Sequence, residues 1–128
     1  MKKWSNKRIL IVDDSKVVHA LITQFISARY PEIKCVSVYN GEEALNFLQK
    51  GEDFVLAFLD IMMPVMDGIE FLRHIKEMGI NLSFPIVVCS EAEDSLIEKA
   101  LSMGAKDRLK KPFKNIDLYE IIEKYVKA

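Results

Sequence analysis

Short apolar runs rich in β-branched residues alternate with longer segments of helical spacing five times along this chain, and few folds accommodate that rhythm. The first run, Arg8 to Val12 (RILIV), leads into a segment where Val17, Val18, Leu21, Ile22, Phe25 and Ile26 recur at i, i+4 spacing. That stripe predicts the buried face of a helix and leaves His19, between its apolar positions, facing solvent. Ser15 is suited to cap the helix and Pro31 follows its end. The second unit is a strand over Lys34 to Tyr39 and a helix over Gly41 to Lys50, with Gly51 as C-cap.

The third run, Phe54 to Leu59, is apolar almost throughout, as in a strand covered on both faces. Its helix is expected over about Gly68 to Met78. A fourth strand over Pro85 to Cys89 precedes a helix from about Asp94 to Met103, closed by Gly104. A short fifth strand, around Asp107 to Leu109, precedes a last helix over Ile116 to Val126. Strands and helices joined by a few residues imply one α/β domain, a doubly wound parallel sheet with helices on both faces.

Other classes are excluded by what the chain lacks. The formal net charge of -1 gives no general attraction to nucleic acid or to an anionic membrane. No apolar run approaches a membrane span, and MKKWSNKR at the start lacks the apolar segment of a signal peptide, so a cytoplasmic location is expected. The histidines, His19 and His74, have no metal-ligand spacing to Cys35 or Cys89.

An open doubly wound sheet places its ligand site outside the carboxyl ends of its strands. Asp13 and Asp14 follow the first strand, Asp60 the third, Ser90 the fourth, and Lys111-Pro112 the fifth. Singly, each has a plain structural explanation, since Asp and Ser often cap the following helix and lysine is usually solvated. Jointly they place three carboxylates, a hydroxyl and an ammonium on one sheet edge. Three acids at close quarters repel and call for a hard, oxygen-preferring cation such as Mg²⁺.

The runs VDDS (Val12 to Ser15), LDIMMPVMDG (Leu59 to Gly68) and KPF (Lys111 to Phe113), in that order, resemble the receiver domains of two-component response regulators, chemotaxis regulators included. The resemblance extends from about Arg8 to Tyr125 and implies that residues 1–128 form one receiver domain with its core at about 8–126. It implies a flavodoxin-like (βα)5 fold with a five-stranded parallel sheet in the order 2-1-3-4-5. In that order two strands separate Cys35 from Cys89, about 14 Å, too far for a disulfide.

The resemblance also implies roles. Asp60 matches the phosphoacceptor, whose carboxylate attacks the phosphorus of a donor phosphohistidine. Asp14 matches the direct ligand of Mg²⁺ (or Mn²⁺), Asp13 an acid acting through water, and Met62 a ligand through its backbone carbonyl. Lys111 would pair with the acceptor and then with a phosphoryl oxygen, and Ser90 would bind another oxygen. A cis peptide is expected before Pro112. The implied partners are a sensor histidine kinase or histidine phosphotransfer protein, and an output protein on the face of the fourth helix, fifth strand and fifth helix. Neither nucleic acid nor a membrane is expected as a direct partner.

Three positions depart from the pattern. Arg108 stands where the family often has a switching aromatic residue. Glu91 follows Ser90, before Ala92, where a small residue is usual at the mouth of the site. The stretch from Ser90 to Gly104 is one residue short, which leaves Cys89 as an alternative for the hydroxyl, although counting from Pro85 favours Ser90. Met62, Met63 and Met66 are expected to pack beneath the site. A phosphatase of the haloacid-dehalogenase type would need a second acid at Met62. A flavin carrier would need a phosphate cradle where Asp13 and Asp14 stand. The remaining rival, an unphosphorylated interaction module on the same fold, has no use for Asp13, Asp14, Asp60 and Lys111 together.

Overall fold

The computed structural model describes residues 4–126. Five strands, β1 (Arg8–Val12), β2 (Lys34–Val38), β3 (Leu56–Leu59), β4 (Ile86–Ser90) and β5 (Asp107–Lys110), pair in parallel in the order β2-β1-β3-β4-β5. The helices between and after them are α1 (Lys16–Arg29), α2 (Gly41–Gln49), α3 (Gly68–Glu77), α4 (Asp94–Ser102) and α5 (Asn115–Tyr125). This is the doubly wound arrangement expected from the alternation. Boundaries shift by a residue or two: β2 ends at Val38, β3 starts at Leu56 instead of Phe54, and β4 runs from Ile86 to Ser90 because the sheet pairs Ser90 with Lys110.

The alternation of side chains along each strand divides the core in two. Leu10, Val12, Ala57, Leu59, Ile86 and Val88 point to the side covered by α2, α3 and α4, where Ala44, Phe71 and Ile97 meet them. Ile9, Ile11, Leu56, Phe58, Val87 and Cys89 point to the other side and pack against Ile22, Leu118 and Ile122 of α1 and α5. Cys89 therefore lies in the α1/α5 core and cannot supply the hydroxyl position beside it. Cys35 and Cys89 are both free thiols.

Local capping is largely as the sequence indicates. The Val18 amide donates to Ser15 Oγ at the start of α1, and Gly51 takes the left-handed conformation after α2. Asp67 and Glu70 form a reciprocal capping box at the start of α3. Helix α4 has no side-chain cap at Glu93 and buries only Ile97 and Ala100.

Helix α1 is rotated from the expected stripe. Its buried positions are His19, Ile22 and Ile26, while Val17 is 77% exposed. The expectation of a solvent-facing His19 is thus overturned. The ring finds a backbone acceptor and an aromatic neighbour at the sheet edge, and neither is visible in a hydrophobicity pattern. Trp4 packs edge-to-face on Tyr30 at 5.0 Å. No helix among the described residues is long and apolar enough to cross a membrane.

Candidate functional site

The carboxyl ends of β1 and β3 lie side by side because these strands pair directly, Val12 opposite Leu59. The residues that follow them are consequently neighbours. One carboxylate oxygen from each of Asp13, Asp14 and Asp60 lies within 4.8 Å of the others. Asp13 and Asp60 are buried while Asp14 is exposed. Such a set of oxygens suits a hard divalent cation.

Lys111 enters from the end of β5. Its Nζ lies 2.6 Å from Asp13 Oδ2 and 3.3 Å from Asp60 Oδ2. The Lys111-Pro112 peptide is cis, as expected. Three carboxylates against one ammonium leave the site with an excess of negative charge, and this is felt on both members of the closest pair. Burial raises the pKa of Asp13, and the Asp60 charge adds to that against hydrogen bonds from Lys111 and the Ser15 amide. Burial lowers the pKa of Lys111, but the Asp13 hydrogen bond and the charges of Asp60 and Asp13 outweigh it and leave the ammonium above its ordinary value.

Asp13 is clamped from four directions. Its amide donates to the Val38 carbonyl at 3.2 Å, and its Oδ1 accepts from the Ser15 amide at 2.9 Å. Its Oδ2 accepts from Lys111, and its carbonyl meets His19 Nε2 at 2.6 Å. The backbone of Asp60 is held as firmly. Its amide donates to the Val12 carbonyl at 2.9 Å, and Gly68 at the start of α3 lies so close that a Cβ there would sit 2.5 Å from the Asp60 carbonyl oxygen.

A cleft of about 580 Å³ opens over Asp60 and Lys111, lined also by Met62, Ser90, Glu91 and Ala92. Ser90 is buried, and its Oγ accepts from the Ala92 amide at 3.1 Å. Glu91 is exposed at the mouth. Met62 does not pack beneath the site: it is 61% exposed, whereas Met63 and Met66 pack against the core. The reason is local, because Met62 lies between the buried Ile61 and a turn in which Val65 takes φ +69°. Arg108 fills no apolar slot. It stays on the surface with its guanidinium 3.8 Å from Glu98 of α4, next to a second exposed pair, Lys110–Asp94, at 3.0 Å.

The sequence misses two residues of this neighbourhood. His19 supports the Asp13 carbonyl from inside, and Gly68 gives the chain room to pass the Asp60 carbonyl. A tight approach of this kind leaves only the glycine itself as a signal.

Sheet order and site together place the chain in the CheY-type class of flavodoxin-like α/β domains. Residues 9–123 match the response regulator receiver domain family, and the chain belongs to that family. It is 33% identical to the chemotaxis protein CheY of Treponema pallidum over 119 residues, 91% of this chain and 78% of that protein. It is 39% identical over 107 residues to a protein-glutamate methylesterase/protein-glutamine glutaminase of Rhodospirillum centenum, covering 82% of this chain but only 27% of the esterase. Among solved structures it resembles the co-crystal structure of the Saccharomyces cerevisiae histidine phosphotransfer protein Ypd1 with the receiver domain of its downstream response regulator Ssk1. The TM-score there is 0.81 at 26% identity, over 98% of this chain and 92% of that one. The chain is a receiver domain of two-component signalling.

Proposed function

We propose that Asp60 is the phosphoacceptor of this receiver and that residues 1–128 act as one phosphorylation-driven switch. The observation that carries this reading is the position of the Asp60 carboxylate, buried at the end of a central strand, 3.3 Å from Lys111 Nζ and open to a cleft. An Asp60 oxygen attacks the phosphorus of a phosphohistidine on a histidine kinase or phosphotransfer protein. A P–O bond forms, the P–N bond breaks, and the imidazole leaves with its electron pair. Transfer of this kind needs positioning and charge neutralisation more than covalent help.

Asp14, Asp60, the Met62 carbonyl and, through water, Asp13 would hold Mg²⁺ (or Mn²⁺). When bound, the ion neutralises the acids and the incoming phosphoryl oxygens. Lys111 exchanges its contact with Asp60 for a phosphoryl oxygen. Ser90 leaves the Ala92 amide to bind another oxygen, and the displaced segment carries the signal toward α4, β5 and α5. Arg108 and Glu98 stand on that route in place of an aromatic residue, and Glu91 adds a negative charge where the donor arrives. The module is a switch that catalyses its own phosphorylation and dephosphorylation in the cytoplasm, and it acts on an output protein through the face of α4, β5 and α5.

Intact-mass measurement after incubation with acetyl phosphate and Mg²⁺ tests the reading. One phosphoryl adduct is expected on the wild type, and none on Asp60→Asn or in EDTA. An adduct undiminished in Asp60→Asn would overturn the assignment.

A further inference from the structure

His19 is the one residue of α1 whose burial the apolar pattern does not explain. It is 5% exposed, and its Nε2 lies 2.6 Å from the Asp13 carbonyl oxygen. A carbonyl only accepts, so Nε2 carries the proton. Nδ1 has no partner among the described residues. Tyr39, the residue after β2, packs against the ring at a 50° tilt, with centroids 4.6 Å apart. Tyr39 is itself held through its amide, which donates to Glu43 Oε1 at 2.6 Å.

The bond is spent on one peptide plane. The Asp13 carbonyl belongs to the peptide that joins Asp13 to Asp14, and a planar peptide whose oxygen is fixed also fixes the direction in which Asp14 departs. Asp13 is anchored through its amide and both carboxylate oxygens as well. Asp14 is exposed, and among the described residues its side chain makes no hydrogen bond or ion pair. Its aim therefore depends on the peptide before it.

We infer that His19 is a positioning residue for the divalent-cation site: its Nε2–H, clamped to the Asp13 carbonyl, orients the Asp13–Asp14 peptide and with it the Asp14 carboxylate. The inference rests on the reading of Asp13, Asp14 and Asp60 as the cation-binding acids. A hydrogen bond of this order behind a ligand is expected to change affinity by roughly tenfold or more.

The test is calorimetric titration of Mg²⁺ into the wild type, His19→Gln, His19→Asn and His19→Leu, each first checked for folding by circular dichroism. Glutamine can place a donor near the Nε2 position and asparagine only near the Nδ1 position. Wild type and His19→Gln should bind Mg²⁺ alike, with His19→Leu and His19→Asn weaker by about tenfold or more. Equal affinity in a folded His19→Leu would overturn the role of His19 while leaving the cation site standing. A wild type that binds no Mg²⁺ would remove the site and the inference together. Nitrogen-15 spectra of the wild-type imidazole provide a check that needs no variant. They should show the Nε2–H tautomer, and the Nδ1–H tautomer would overturn the clamp.

Discussion

The Lys111 ammonium lies closer to Asp13 than to Asp60, 2.6 Å against 3.3 Å. In the resting molecule the lysine is thus shared between an acid that holds it and the acid that is to react. Its side chain is 11% exposed, so its loss leaves buried carboxylates facing each other with nothing between them. Removing one partner of a buried pair costs about 3–5 kcal/mol. Lys111→Ala is expected to lose about 3 kcal/mol of stability without Mg²⁺, to recover part of it when Mg²⁺ is added, and still to bind the ion. Urea unfolding with and without Mg²⁺ measures both effects, and a variant as stable as wild type in EDTA would contradict the pairing.

The turn after β3 stores strain at Val65. This β-branched residue takes φ +69°, and the Met66 amide closes a three-residue turn onto the Pro64 carbonyl at 2.8 Å. A left-handed conformation costs a residue other than glycine roughly 1–2 kcal/mol. Val65 is 72% exposed, so truncating it forfeits little packing. Val65→Asn and Val65→Gly should each stabilise the domain by about 0.5–1 kcal/mol, the glycine gain being trimmed by its freer unfolded chain. Midpoints of chemical denaturation decide this, and a loss of stability in both variants would count against the strain.

Gly68 sets the opposite constraint. An added Cβ would lie 2.5 Å from the Asp60 carbonyl oxygen and 2.9 Å from Ile61 Cα, both backbone atoms that cannot swing aside. Gly68→Ala should cost about 3 kcal/mol and slow phosphorylation by acetyl phosphate, because the backbone that carries the acceptor must shift. Stability and adduct formation measured on the same sample should fall together.

Tyr30 provides a pH signature far from the site. Burial, and then the hydrogen bond its hydroxyl donates to Glu123 Oε2 at 2.5 Å, push its pKa up to about 12. The unfolded value is about 10. A raised folded pKa favours the neutral form in the fold, so this stabilisation is complete below about pH 10 and is lost as pH rises toward about 12. Urea midpoints over that window should fall more steeply for the wild type than for Tyr30→Phe. Parallel curves would show that the phenol makes no such contribution.

The fold was legible because its period is written in the residue types: the central strands alternate their side chains between two apolar cores, and each helix buries one face. The site was legible because its residues follow strands directly, so that β1 pairing β3 brings Asp13, Asp14 and Asp60 together. What escaped depends on partners remote in the pattern. His19 looks polar and hence external until the Asp13 carbonyl is placed beside it. Val17 looks apolar and hence internal until the rotation of α1 is known. Met62 follows Ile61 in sequence but not into the core, since the turn at Val65 carries it outward.

The thin anchoring of α4 has a consequence for how a signal could spread. With two fully buried side chains, no side-chain cap, and only exposed ion pairs from Lys110 and Arg108, this helix is lightly anchored against local opening. Exposed pairs of that kind weaken as ionic strength rises, because screening sets in over about 8 Å in physiological salt. The local melting of the helix beside Ser90 is thereby tied to the ionic medium around it.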